Sequence, residues 1–360
     1  MRLTYRLIAA LSAAALSTAA VPTADPPHEV TKLADEYFAE WLRTFPVSAT
    51  FNGVTEAPPD RVEDLSPASI RAWEKKEDAW LRRLHQVPAG ALRGHPEDAT
   101  YGVLLETLEA SVQLRVCRQQ LWMLNQQSGW HLFLPVLAQV QPLGTPELRH
   151  AALTRWHLAP RYIDQEIANL RQGLREGYSQ PRGNAEAVLD QLNQILAMPA
   201  EQSPFAGLAA RDSAPGFRDS VVAIVAREIL PAATRYRDFV RTEYIPRART
   251  RTELTALPKG ADCYRARVRQ YTTAEFDARA VHRLGLEQMA AIEKEARPLA
   301  QKTLGSSDLP AVYERMRSDT SLTFHSRDEI IRTAKEALAR AKAAMPKYFG
   351  RLPRGDVIVA

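Results

Sequence analysis

The chain has 360 residues, 45% of them hydrophobic and 25% charged, which excludes global disorder and suits one large domain or two ordinary ones. Its formal charge of +5 falls to +3 without Arg2 and Arg6, and basic residues alternate with acidic ones along helical stretches, the pattern of a solvated surface rather than a nucleic-acid-binding face. Two cysteines, Cys117 and Cys263, are too few for a metal framework; in an exported protein they either pair or stay as buried thiols.

The first stretch differs from the rest. Arg2 and Arg6 precede an apolar run, Leu7 to Leu16, and small residues follow at Ser17-Thr18-Ala19-Ala20. This order predicts a secretory signal peptide over residues 1–20, irregular to about 27, and a periplasmic or extracellular protein. An uncleaved amphipathic helix is the weaker alternative. The run is shorter than the ~20 residues that span a bilayer. With no cysteine beside the cleavage site, no stable membrane anchor is expected.

From residue 28 onward the chain reads as helix after helix. Val30, Leu33, Tyr37 and Trp41 make one buried stripe that Pro46 stops. Ser66-Pro67 opens a second helix, striped by Ile70, Trp73, Trp80 and Leu84. A long helical stretch is expected from Glu97 to about Gln126. Thr145-Pro146 starts another helix, which Pro160 is expected to bend or divide, with helices over 161–176 and 184–198 after it. Arg218 to Tyr244 reads as one helix with a kink at Pro231. The basic stretch "RARTRTEL" (Arg247–Leu254) reads as a solvated loop, and Gly260 to Tyr271 as a short helix. Asp277 caps the next helix, or Thr272 and Glu275 form a capping box earlier. Asp308-Leu309-Pro310 and Ser326/Glu329 begin the last two, the latter ending near Met345-Pro346. No alternating strand pattern occurs before Asp356. The expectation is an all-α antiparallel array, a single domain over 28–360, with a lone strand-like segment at 356–360.

Catalytic signatures are sparse. A helical zinc site needs His-Glu-x-x-His, which puts two imidazoles on one face beside a general base. No two of the eight histidines stand four apart. His28-Glu29 is followed by Lys32 where the second ligand belongs, and His150 and His157 share a face that offers no carboxylate. The G-x-S-x-G elbow and the phosphate-binding loop are absent as well. One cluster stands out, "CYRARVRQYTT" (Cys263–Thr273), where Tyr264, Arg265, Arg267, Arg269 and Tyr271 crowd together. Such arginines suit a carboxylate, for instance a peptide C-terminus. A solvated arginine face with the tyrosines turned inward explains the same residues more simply.

Five stretches, in order, resemble one family. They are "EYFAEWLRTFPVSATFNGV", "DLSPASI", "NLRQGLREGY", "LPKGADCYRARVRQYTTAEFDARAVHRLGLEQMAAI" and "FHSRDEIIRTAKEALARAKAAMPKYFGRLP". Together they are similar to the bacterial "domain of unknown function 885" family, from about Glu29 to the last residue. Cys263 departs from it, since the family commonly carries an aromatic residue there. The resemblance implies a helical zinc-peptidase-like protein whose metal site, led by a His-Glu pair, lies downstream of the segment matching Phe349–Pro353. No ligand therefore transfers to this chain, and no cofactor is expected in it. The expectation is the N-terminal helical part of a longer fold, inactive alone, with "DVIVA" (Asp356–Ala360) as the first strand of a second half that packs on this one. Tyr264, Arg265, Arg269 and Tyr271 are then candidate contacts to a peptide in the substrate channel. A non-catalytic helical peptide-binding module is the alternative, and no nucleic-acid partner is expected.

Overall fold

Short polar side chains placed just before a proline decide where several helices begin. The computed structural model describes residues 25–359, so the signal-peptide segment lies outside the described residues. Helix α1 runs Pro26–Thr44, α2 Pro46–Phe51 and α3 Pro67–Leu84. Ser66 Oγ accepts from the Ser69 N–H at 3.2 Å while Pro67 fills the first helical position, where no N–H is needed. Helix α4 (Glu97–Leu114) is shorter than expected. It gives way to two 3₁₀ turns, because Arg118 takes a left-handed conformation at φ 45°.

Helix α5 spans Trp130–Val140 and α6 Pro146–Arg175. Thr145 caps α6 by the same device, its hydroxyl accepting from the Leu148 N–H at 3.2 Å. Helix α6 is not divided at Pro160 but continues through it as one helix. The proline removes one N–H, but Trp156, Ala159, Ile163 and Ile167 bury the surrounding turns, and that packing outweighs a single lost bond. Helices α7 (Arg182–Leu196), α8 (Phe217–Ile224) and α9 (Leu230–Phe239) follow. Where a kink at Pro231 was expected, the helix widens into a π-turn at Val225–Ile229, and a second π-turn at Val240–Tyr244 stands just ahead of Pro246. In each place the wider register takes up carbonyls that the proline's missing N–H would leave unpaired.

The basic stretch after Pro246 is not simply solvated. Arg249 Nε donates to Ser179 O (2.8 Å) and its Nη1 to Glu253 O (2.9 Å), which pins two loops together beside an isolated Pro181–Arg249 bridge. Helix α10 spans Gly260–Thr272. The two cysteines are joined in a disulfide, with Cα atoms 4.7 Å apart, linking the turn after α4 to the first turn of α10.

The described chain forms two compact units, divided at Phe276/Asp277. In the first unit, a large core of Trp130, Trp156, Val188, Phe205, Val221 and Tyr236 joins α5 to α9. A second core, of Val30, Leu33, Trp80, Leu84, Leu104 and Leu108, joins α1, α3 and α4.

The second unit holds α11 (Ala278–Leu304), α12 (Leu309–Ser318) and α13 (Arg327–Tyr348). Asp277 is the cap of α11, accepting from the Ala280 N–H at 3.2 Å, so the earlier start at Thr272 does not form. Ser326 caps α13, but Glu329 reaches back to the N–H of His325 rather than that of Ser326. Helix α13 runs past Met345-Pro346 to Tyr348. Burial here is slight: Ala300, Leu309 and Val312 form the core, and α13 has no buried residue. Leu284, Ile292 and Leu299 on α11, with Phe324 and Ile330, are exposed. Residues 356–359 pair with no strand, held only by Lys342 Nζ, which meets Asp356 and donates to Val357 O (3.1 Å), and no strand ladder exists among the described residues. The all-α reading therefore stands, and the expected strand-like end forms no strand in its described part. No helix among the described residues is long and apolar enough to cross a membrane.

Candidate functional site

The Tyr264–Tyr271 cluster does not converge. Tyr264 (44% exposed) and Tyr271 (80% exposed) point to solvent rather than inward. Arg265 is exposed and pairs with Asp262 at 3.1 Å. Arg269 is the inward residue, with its side chain 11% exposed. Its guanidinium meets Glu106 (2.6 Å), Glu109 (3.0 Å) and Glu275 (3.2 Å). Three carboxylates already occupy the fork that a substrate carboxylate would need.

A different place offers an open cleft. It is about 430 Å³ in volume, within the range of small-ligand sites, and lies between α2, the start of α3, α5 and α6. Phe45, Phe51, Trp73, Phe133 and Tyr162 supply aromatic walls. Phe133 meets Tyr162 edge-on at 5.5 Å between ring centres, and Phe45 meets Trp73 edge-on at 5.0 Å. Glu63 and Asp64 also line it, and no Lys, Arg or His does.

Helix α6 fixes the acidic segment of the cleft with residues four apart. Arg161, Gln165 and Asn169 fall on one stripe of the helix. Arg161 Nη2 donates to Asp64 Oδ2 (2.9 Å) and Gln165 Nε2 to Asp64 Oδ1 (2.7 Å). The Leu65 N–H donates to Gln165 Oε1 (3.0 Å), and Asn169 Nδ2 donates to Leu65 O (2.9 Å). These bonds hold segment 63–66 in a fixed place. Burial works to raise the Asp64 carboxyl, but the bonds from Ser66 and Gln165 and the Arg161 charge hold it below the usual range.

Glu63 then reaches the start of α2. Its Oε1 accepts from the N–H of Val47 (3.2 Å), the N–H of Ser48 (3.1 Å) and the Ser48 hydroxyl (3.4 Å). Pro46 makes this geometry possible, because it starts the helix and leaves the next two N–H groups free to donate. Burial pushes the Glu63 carboxyl above its usual range, partly offset by these bonds and by the positive field of Arg155. Arg155 itself is fully buried and does not bond Glu63. Its Nη1 donates to Gln141 Oε1 (2.7 Å) and Thr50 Oγ1 (3.1 Å), its Nη2 to Pro58 O (2.5 Å), and burial pulls its pKa down to about 10.

Behind the cleft lies a buried acid. Glu166, one turn beyond Tyr162, accepts from the Tyr236 hydroxyl at 2.5 Å, and burial pushes its pKa up to about 7. Tyr162 is held well above the usual phenol range by burial and by the nearby Glu166 and Glu63 carboxyls.

Residues 46–360 match the model of the family described as "Bacterial protein of unknown function (DUF885)". The chain belongs to this family. The resemblance read from the sequence begins earlier, at Glu29, and both run to the last residue. No curated protein matches the chain. A solved structure described as a lipoprotein from Colwellia psychrerythraea aligns with a TM-score of 0.77 at 15% identity, over 91% of this chain and 61% of that one. At that identity the likeness is one of fold. This family member thus spans about three fifths of the length of that relative.

The zinc that the family resemblance implies finds no fitting ligand set here. Among the described residues, no group of three or more His, Cys, Asp or Glu is placed to hold a metal. His157 does meet a carboxylate that its own helix face lacks, Glu228 at 2.9 Å from the first π-turn, in an exposed pair. Sequence reasoning missed the cleft, whose residues come from segments up to about a hundred positions apart. Its one local signal was the stretch that contains "PVSAT" (Pro46–Thr50), which forms α2.

Proposed function

We propose that this chain is the exported, peptide-recognising body of a peptidase-like protein, and that the cleft between α2 and α6 is where a peptide side chain enters. The observation that carries this is the cleft itself: aromatic walls around a carboxylate, held by bonds that leave the opening uncovered. Such a mix of apolar surface with few polar groups is typical of ligand pockets. Export is supported by the signal-like N-terminus and by the description of the structural relative as a lipoprotein. The hydrolytic chemistry implied by the family resemblance needs ligands that the described residues do not bring together. The purified protein should therefore bind short unstructured peptides without hydrolysing them and should carry no stoichiometric zinc. Hydrolysis that a chelator abolishes, or one tightly held zinc per chain, would overturn the proposal.

A second element of the proposal concerns the second unit. Leu284, Ile292 and Leu299 lie exposed along α11, and α13 has no fully buried residue. A stripe of this kind marks an interaction surface. Its proposed occupant is further protein of the same fold, in keeping with the greater length of the relative. Alone, the chain should bind a hydrophobic dye and self-associate. Replacing these three residues with lysine should abolish both without lowering the midpoint of thermal unfolding. An unchanged dye signal would argue against the stripe.

A further inference from the structure

We infer that the cleft selects a cationic side chain, that of lysine or arginine, with its stem against the aromatic walls and its charged head on Glu63 Oε2. The inference rests on the peptide-binding reading and adds the chemistry of the residue that is read.

Charge is the first argument. The only ionisable side chains with short acidic character in the lining are Glu63 and Asp64, and no basic residue faces them from within the cleft. Asp64 is spoken for: both of its oxygens accept from α6, one of them from the Arg161 guanidinium. Glu63 is different. All three bonds it receives from other residues go to Oε1. No described residue donates a side-chain hydrogen bond to Oε2, and Glu63 makes no ion pair among the described residues. Arg155, whose positive field reaches Glu63, points its donors at Thr50, Gln141 and Pro58.

Glu63 is part-buried at the edge of an open cleft, and a cation with N–H donors is the group that best completes a carboxylate whose bonds from other residues all fall on one oxygen. The walls suit the same ligand. Aromatic faces attract ammonium and guanidinium groups, and they also cover the aliphatic stems of these side chains. An acidic side chain would meet like charge in a low-dielectric setting and be rejected. A neutral aliphatic chain would gain only the apolar contact.

The test is calorimetric titration of the intact protein with acetyl-Ala-X-Ala-amide peptides, where X is lysine, arginine, norleucine or glutamate. Lysine and arginine should bind about tenfold or more tightly than norleucine, as a charge-assisted hydrogen bond implies, and glutamate should be weakest. Glu63→Gln keeps an oxygen for the Val47 and Ser48 N–H groups but removes the charge. It should bring the lysine affinity down to about that of norleucine. Equal affinity for lysine and norleucine in the unaltered protein overturns the cationic selection while the peptide reading stands. Binding of none of the four removes both. If Glu63→Gln loses its fold, the four peptides on the unaltered protein still decide.

Discussion

Removing the Cys117–Cys263 bond should lower the stability of the first unit by about 5 kcal/mol, the loop-closure entropy of a cross-link of this span. The bond joins residues 146 positions apart, and both cysteines are 1% exposed. It fastens α10 to the turn after α4. Without it, the main polar tie between these elements is Arg269 with Glu106 and Glu109. A partly exposed ion network of this kind contributes much less than the cross-link. Urea unfolding of the Cys117→Ala/Cys263→Ala double variant, or of the native protein under reductant, should show a markedly lower midpoint. The cleft, which neither cysteine lines, should retain its ligand at low urea. An unchanged midpoint would mean that the cross-link holds nothing the packing does not already hold.

The second large effect is a dependence on pH. Glu166 is buried behind the cleft, and burial raises its pKa from the usual 4.5 to about 7, against the Tyr236 hydroxyl that bonds it. Because the folded-state value is raised, the folded protein keeps a proton that the unfolded chain has already lost between these two values. The favourable contribution of this group is therefore complete below about 4.5 and disappears as pH rises through about 7. At 1.36 kcal/mol per unit the window amounts to about 3 kcal/mol. Glu166→Gln, which keeps an oxygen for Tyr236, should match the native protein near pH 4.5 and exceed it by about that amount at pH 8. A difference that does not vary with pH would contradict the raised value. Salt should change the result little, because an enclosed group is poorly screened.

Much of the helical framework could be read from local signals. The caps at Ser66, Thr145, Asp277 and Ser326 act within three residues of themselves, so the sequence displays them directly. Pro160 misled because its cost is local while the burial of Trp156 and Ile163 that outweighs it comes from other helices. The π-turns before Pro231 and Pro246 were invisible for a similar reason: a kink and a widened turn answer the same missing N–H. The disulfide depended on bringing residues 117 and 263 together, which no spacing announces.

The cleft was the least legible element. Trp73 read as a member of an apolar helix stripe, while Glu63 and Tyr162 carried no local signal. Only the clamp from Arg161, Gln165 and Asn169 onto segment 63–66 shows why that loop is fixed and why Glu63 faces the opening. By contrast, the Tyr264–Tyr271 cluster drew attention through density of charge alone. Its one inward arginine turned out to be committed to carboxylates of its own chain.

These two places can be told apart directly. A lysine-containing peptide carrying a photoreactive benzophenone next to the lysine should, after irradiation and mass-spectrometric mapping, mark residues of α2, α5 and α6 around the cleft, with the mark lost on adding excess unlabelled peptide. Competed labelling on α10 around Tyr264 and Tyr271, with none at the cleft, would contradict the account.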